Sequence, residues 1–307
     1  MNPDFTVKPL MSVHSDADEY VHLPTKRPDW RESYYFNFVD IERGVSGFST
    51  IGLLPNLSKR EFVFALFYGG KREVYFKESE GRIPKDLFES LSDGRLSYEL
   101  VTPLKEWRIR FAGEEISADL KWIARFPAHF FGGGSKTSWS NHFEQSGEVS
   151  GTMKLPGGAR IDFSGLGQRD KSWGPRDWHI EAWFALHAQF DTLSIGLRRD
   201  LVGGKVQVSG GISSADGHAP ISKVDLETVF AYSPRMPIGA ITKVHGVDGR
   251  VYSIVSSLIS QNSFARFSRP YPGGTTELFE EMAIHDCKEL GQRGTGIVEW
   301  LFTQPKS

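Results

Sequence analysis

Gly165-Leu166-Gly167-Gln168-Arg169-Asp170-Lys171-Ser172-Trp173-Gly174-Pro175-Arg176-Asp177-Trp178 is the stretch of this 307-residue chain on which its reading turns. It packs two Arg-Asp pairs, two tryptophans and three glycines into one short segment. Tryptophan buries a wide apolar plane, and an arginine beside an aspartate can be held in a bidentate fork. Such a segment can present carboxylates to an otherwise apolar cavity. The same residues can instead pin a junction between two domains, and composition alone leaves both readings open.

Immediately upstream, Pro156-Gly157-Gly158 separates two alternating runs, 151–155 and 160–164, as a tight hairpin does. Further out, short apolar or alternating runs recur at 34–39, 61–68, 72–76, 96–101, 107–111, 116–126 and 147–155. Downstream they resume at 180–190, 192–198, 205–209, 223–232, 241–245, 250–257, 263–267, 277–286 and 296–302. Tyr68-Gly69-Gly70 and Ser92-Asp93-Gly94 supply further turns, and 84–91 is the one good helix candidate, with Leu87, Phe88 and Leu91 on one side. No strand alternates with a crossover helix, so a parallel nucleotide-binding sheet is disfavoured and antiparallel barrels or sandwiches are expected. The 22 Phe, 9 Tyr, 8 Trp and 32 Gly agree, since aromatics suit a pleated surface and glycine its corners. The expected division is an N-terminal arm on the surface (1–30), a first β domain (31–164), a junction (165–179) and a second β domain (180–307).

Lys and Arg number 36 against 38 Asp and Glu, so no broad field attracts nucleic acid or an anionic membrane. No run approaches the roughly 20 apolar residues of a membrane helix, and 1–20 is not a leader, so a cytoplasmic protein is expected. The single cysteine, Cys287, excludes an intramolecular disulfide and a Cys-rich zinc site. Only His285 stands near it as an activating group. Gly132-Gly133-Gly134-Ser135-Lys136-Thr137 lacks P-loop spacing, and neither a Gly-x-Ser-x-Gly elbow nor a Gly-x-Gly-x-x-Gly turn is present.

From Trp139 to Trp178, including His142-Phe143-Glu144-Gln145 and the hairpin after it, the chain resembles a bacterial branch related to carotenoid 1,2-hydratase (hydroxyneurosporene synthase), tocopherol-cyclase-like proteins and lipocalin-like Diels–Alderases. Glu32-Ser33-Tyr34-Tyr35-Phe36-Asn37-Phe38-Val39-Asp40 and Gly294-Thr295-Gly296-Ile297-Val298-Glu299 extend the resemblance over most of the chain. It implies two successive lipocalin-like (calycin-type) β domains with an apolar cavity, and chemistry that hydrates, isomerises or cyclises terpenoid-, steroid- or polyketide-like molecules without a cofactor. Lys171 departs from the pattern, where many relatives are expected to carry His, so no proton relay is expected there.

Protonating an alkene, or expelling or moving a hydroxyl, needs a carboxylic acid or imidazolium in a dry cavity, with aromatic faces to stabilise positive charge. Asp170 is the expected proton donor and Asp177 an Arg-paired structural carboxylate, both counted as catalytic candidates. His142 and Glu144, two apart on one strand face, are second acid/base candidates. Trp173, Trp178, Trp183, Arg169, Arg176 and His179 are the expected substrate-binding residues. A carrier of a hydrophobic metabolite is the alternative function. A third is a metal enzyme using His142/Glu144 with His179/Glu181, although the resemblance carries no metal.

Overall fold

In the computed structural model, which describes residues 15–131, 138–178, 180–231 and 236–305, the chain forms two antiparallel sheets with almost no helix. The first sheet takes β1 (Trp30–Asp40), β2 (Val45–Leu54), β3 (Lys59–Tyr68), β4 (Lys71–Glu80), β5 (Leu96–Thr102), β6 (Glu106–Ala112), β7 (Ser117–Ala124), β8 (His129–Phe130), β9 (Asn141–Lys154) and β10 (Arg160–Pro175). Their order is β4-β3-β2-β1-β10-β9-β7-β6-β5, with β8 on β9, and this sheet curls into a half-barrel. The second takes β11 (Ala182–Gln189), β12 (Leu193–Val202), β13 (Lys205–Ser214), β14 (Gly217–Phe230), β15 (Pro237–Gly246), β16 (Val251–Leu258), β17 (Phe264–Tyr271), β18 (Gly274–Cys287) and β19 (Gln292–Pro305). Pairing of β16 with β18 closes eight of these strands into a barrel and leaves β17 outside the ring. Closure removes the open edges that an antiparallel sheet would otherwise expose.

The all-β class is as expected, with two local corrections. The helix candidate shrinks to α1 (Leu87–Ser90), whose start is capped by Asp86 accepting from the Glu89 N–H at 2.9 Å. The segment read as a junction from residue 165 is the second half of β10, which runs unbroken to Pro175. Its glycines mislead for a physical reason: a Cβ at Gly165 or Gly167 would overlap the carbonyl oxygen of Val39 or Asn37 on β1. Glycine inside a strand often marks such a close backbone approach. By contrast, Gly157 and Gly158, at φ +83° and +86°, make the hairpin turn that the sequence predicts.

Alternation along β1 explains where the cores sit. Tyr34, Phe36 and Phe38 point into the first sheet against Trp107 and Trp122, whereas Tyr35 and Val39 point toward the second sheet and pack with Met282 and Ile297. A separate core of Phe184, Ile195, Val298 and Trp300 fills the closed barrel. The described part of the N-terminal arm, 15–29, is mostly exposed and is anchored at one buried residue, Glu19. Glu19 is 0% exposed, accepts from the Leu104 N–H at 2.7 Å and receives both Nη atoms of Arg169 at 2.7 and 2.8 Å. Among the described residues no helix is long and apolar enough to cross a membrane.

Candidate active site between the sheets

A cavity of about 710 Å³ lies between the two sheets. Strand geometry decides which side chains reach it. On β10, Gln168, Asp170 and Ser172 face the cavity, while Arg169, Lys171 and Trp173 alternate to the opposite side. Asp170 is register-paired with Tyr35 of β1 and with Glu144 of β9, so one row across three strands carries two carboxyls and a phenol. The facing row of the second sheet is Glu299 of β19 paired with Glu280 of β18. Tyr35 spans the gap, its hydroxyl donating to Glu280 Oε2 at 3.2 Å. Glu299 receives the indole N–H of Trp183.

Four carboxyls thus converge in a space walled largely by aromatic and aliphatic groups, and their protonation follows. Asp170 is pushed up to about 7 by burial and by Glu299, against the opposing pull of Arg176, Arg169 and Arg198. Its side chain is half-buried and faces the cavity. Burial, with Asp170 as a like charge, raises Glu144 well above the usual carboxylate range. Burial and Glu299 do the same to Glu280. Interacting carboxyls titrate as a set, so the upward shifts of Asp170, Glu144 and Glu280 belong to the three together.

Basic and aromatic groups complete the wall. His142 Nε2 lies 3.7 Å from Glu144 Oε1, with its ring 4.5 Å from those of Phe131 and Trp139. His187 meets Ser146 Oγ at 3.0 Å, and burial lowers it to about 3, so it is neutral. Arg198 donates Nε to Asp200 at 2.6 Å and stacks over Trp183 at 3.9 Å. Arg176 donates to Ser172 Oγ at 2.9 Å and to the Ser138 carbonyl at 3.1 Å.

Of the residues singled out by sequence, Asp170, His142, Glu144, Trp178, Trp183 and Arg176 are together on the cavity wall. Three are not. Arg169 sits on the reverse face of β10, 1% exposed, with Glu19 and Gln145. Trp173, on the same reverse face, stacks on His22 with ring centres 3.9 Å apart. Asp177 follows the end of β10, is exposed and lies outside the cavity wall. Lys171, also reversed, pairs with Glu32. His179 and the glycine-rich 132–137 lie outside the described residues. Glu181 is exposed and accepts from the Gly204 N–H at 2.9 Å, and no group of three or more metal-ligating side chains occurs among the described residues.

Sequence reasoning missed Tyr35, Glu280, Glu299, Arg31, Arg198 and Arg269. The glutamates carried a signal: each is a charge inside an apolar strand, in Leu278-Phe279-Glu280-Glu281-Met282-Ala283-Ile284 and Ile297-Val298-Glu299-Trp300-Leu301. Buried charges are rare without a partner or a task.

A family model described as Domain of unknown function (DUF7064) matches residues 15–304. No curated protein sequence matches the chain at a significant level. Among solved structures, kievitone hydratase from Nectria haematococca is similar with a TM-score of 0.64 and 11% identity, over 94% of this chain and 94% of that one. CghA is similar both alone (TM-score 0.61, 11% identity, 91% and 90% covered) and with Sch210972 (0.62, 11%, 89% and 88%). The likeness extends over nearly the whole of each chain, and the fold is the expected lipocalin-like one. That likeness is one of fold, and it does not single out the carotenoid-hydratase branch.

Proposed function

The chain belongs to the family described as Domain of unknown function (DUF7064), and we propose that it is a lyase or isomerase of hydratase, dehydratase or cyclase type acting on a hydrophobic small molecule. The observation that carries this reading is Asp170, held near neutrality in a cavity shared with Glu144, Glu280 and Glu299. A general acid works best when its pKa lies near the operating pH. In the hydratase direction Asp170 transfers its proton to an alkene carbon, and the rings of Tyr35 and Trp183 face the resulting positive charge. Water then adds to the cation, and its surplus proton returns to the Asp170 carboxylate. Dehydration is the reverse, and isomerisation or cyclisation replaces water by another carbon's electrons or proton. None of these steps needs a redox cofactor.

A cavity of about 710 Å³ suits a terpenoid-, steroid- or polyketide-like molecule. One structural neighbour is by name a hydratase, and the other was solved with a small molecule, which supports the reading. The test is to incubate the purified protein with hydroxylated and unsaturated hydrophobic compounds in deuterated water and follow the products by mass. Deuterium incorporation, gain or loss of water, or cyclisation is expected, and Asp170→Asn should suppress it. A compound that copurifies and binds unaltered, with Asp170→Asn indistinguishable from the parent, would favour a carrier instead.

A further inference from the structure

The cavity has a second polar end that proton transfer leaves unused. Arg31 precedes Tyr35 by four residues on the same face of β1. Arg269 of β17 is register-paired with Thr276, which precedes Glu280 by four residues on the same face of β18. At about 3.3 Å per residue, both sheets place this basic row about 13 Å from the row of Asp170 and Glu280.

The row is built rather than incidental. Arg31 is buried on the bare backbone of Gly52, where a Cβ would overlap its guanidinium. It donates Nε to Ser33 Oγ at 2.8 Å and Nη1 to Glu61. Arg269 approaches the same Glu61 from the other sheet, Nη2 to Oε2 at 3.5 Å, and lies over the Trp178 ring at 4.7 Å. Arg176 lies over that ring too, at 5.2 Å. Glu61 is thus shared by two guanidiniums with a third close by, and the adjacent Lys59 is matched by Glu78 at 2.6 Å. Desolvation by the cavity wall first, then Arg31 as a like charge, depresses both Arg176 and Arg269, although Arg269 keeps 47% of its side chain exposed.

We propose that this row anchors an anionic group of carboxylate type on the substrate, an apolar molecule whose anion lies four strand residues, about 13 Å of backbone rise, along from the row of Asp170. The planar guanidinium fork matches a carboxylate, and the indole beneath it limits the fork's freedom. The inference rests on the cavity being the binding site, as proposed above.

Two fluorescent probes separate the claims: 1-pyrenebutanoic acid and 1-pyrenebutanol, titrated against the full chain and its Arg269→Gln variant. The acid is expected to bind the parent at least about tenfold more tightly than the alcohol, the scale of one hydrogen bond to a charged group. Arg269→Gln should remove most of that preference and leave the alcohol's affinity unchanged, which also shows that the variant is folded. Equal affinities in the parent, or a preference that survives in Arg269→Gln, would overturn the anchor and leave the cavity reading standing. Failure of both probes to bind the parent would overturn both.

Discussion

Gly196 of β12 lies under the carboxyl of Glu144 from β9, so near that a Cβ on Gly196 would overlap Glu144 Oε2. A side chain of the first sheet therefore ends against bare backbone of the second. Gly196→Ala should displace the carboxyl without breaking the fold, because the added methyl meets the far end of a flexible chain. We expect a loss of about 1 kcal/mol in unfolding free energy and a fall in turnover of about tenfold or more, since small displacements in a site are costly. Parental turnover in this variant would show that the position of Glu144 does not matter.

Asp170 gives the activity its pH dependence. Its carboxyl is at about 7, and the proposed role needs the protonated form, so kcat/KM should hold at lower pH and fall as pH rises through about 7. Asp170→Asn should lower kcat by about 10²-fold and erase that limb. Asp177→Asn, outside the cavity, should leave both rate and profile unchanged. An intact limb in Asp170→Asn would assign it to another group of the cluster.

Glu281 should make the protein less stable in alkali. It is 0% exposed, alternates with Glu280 so as to face the closed barrel, and neither carboxyl oxygen has a hydrogen-bond partner among the described residues. Burial raises it to about 9. Between the unfolded value of about 4.3 and about 9, the folded state keeps a proton that the unfolded state has released, so stability falls as pH rises through this window. Glu281→Gln should flatten that slope, read as urea midpoints at pH 5, 7 and 9. Parallel pH curves for parent and variant would mean that Glu281 is ionised in the native state.

The fold was legible because its signals are local. The Pro156-Gly157-Gly158 turn and the alternating runs need only neighbours to be read. The site was half legible for the same reason. His142 and Glu144, two apart on β9, declared a common face, but Arg169 and Asp170, adjacent on β10, were read as a pair although a strand sends them to opposite sides. Reading 165–178 as a loop hid that alternation, because the glycines that suggested a turn accommodate the backbone of β1. Glu280 and Glu299 stand across from Asp170 only after two sheets have packed, a relationship more than 100 residues distant in the chain.

Arg169 and Glu19 test whether the reverse face of β10 is architecture alone. Two hydrogen bonds join them, at 2.7 and 2.8 Å, with Arg169 also on Gln145 Oε1 at 3.0 Å and over the Phe143 ring at 5.0 Å. Glu19 belongs to the short 3-10 turn Asp16–Glu19, so this pair ties the N-terminal arm into the first sheet. Removing one member of a buried ion pair leaves a charge without its partner, which typically costs roughly 3–5 kcal/mol. Glu19→Ala should therefore lose about that much unfolding free energy. The double variant Glu19→Leu/Arg169→Met should recover most of it, because no orphaned charge remains. Pyrenebutanol should bind the double variant as it binds the parent, since neither side chain reaches the cavity. Weakened binding in a variant of parental stability would show that the reverse face of β10 contributes to the site after all.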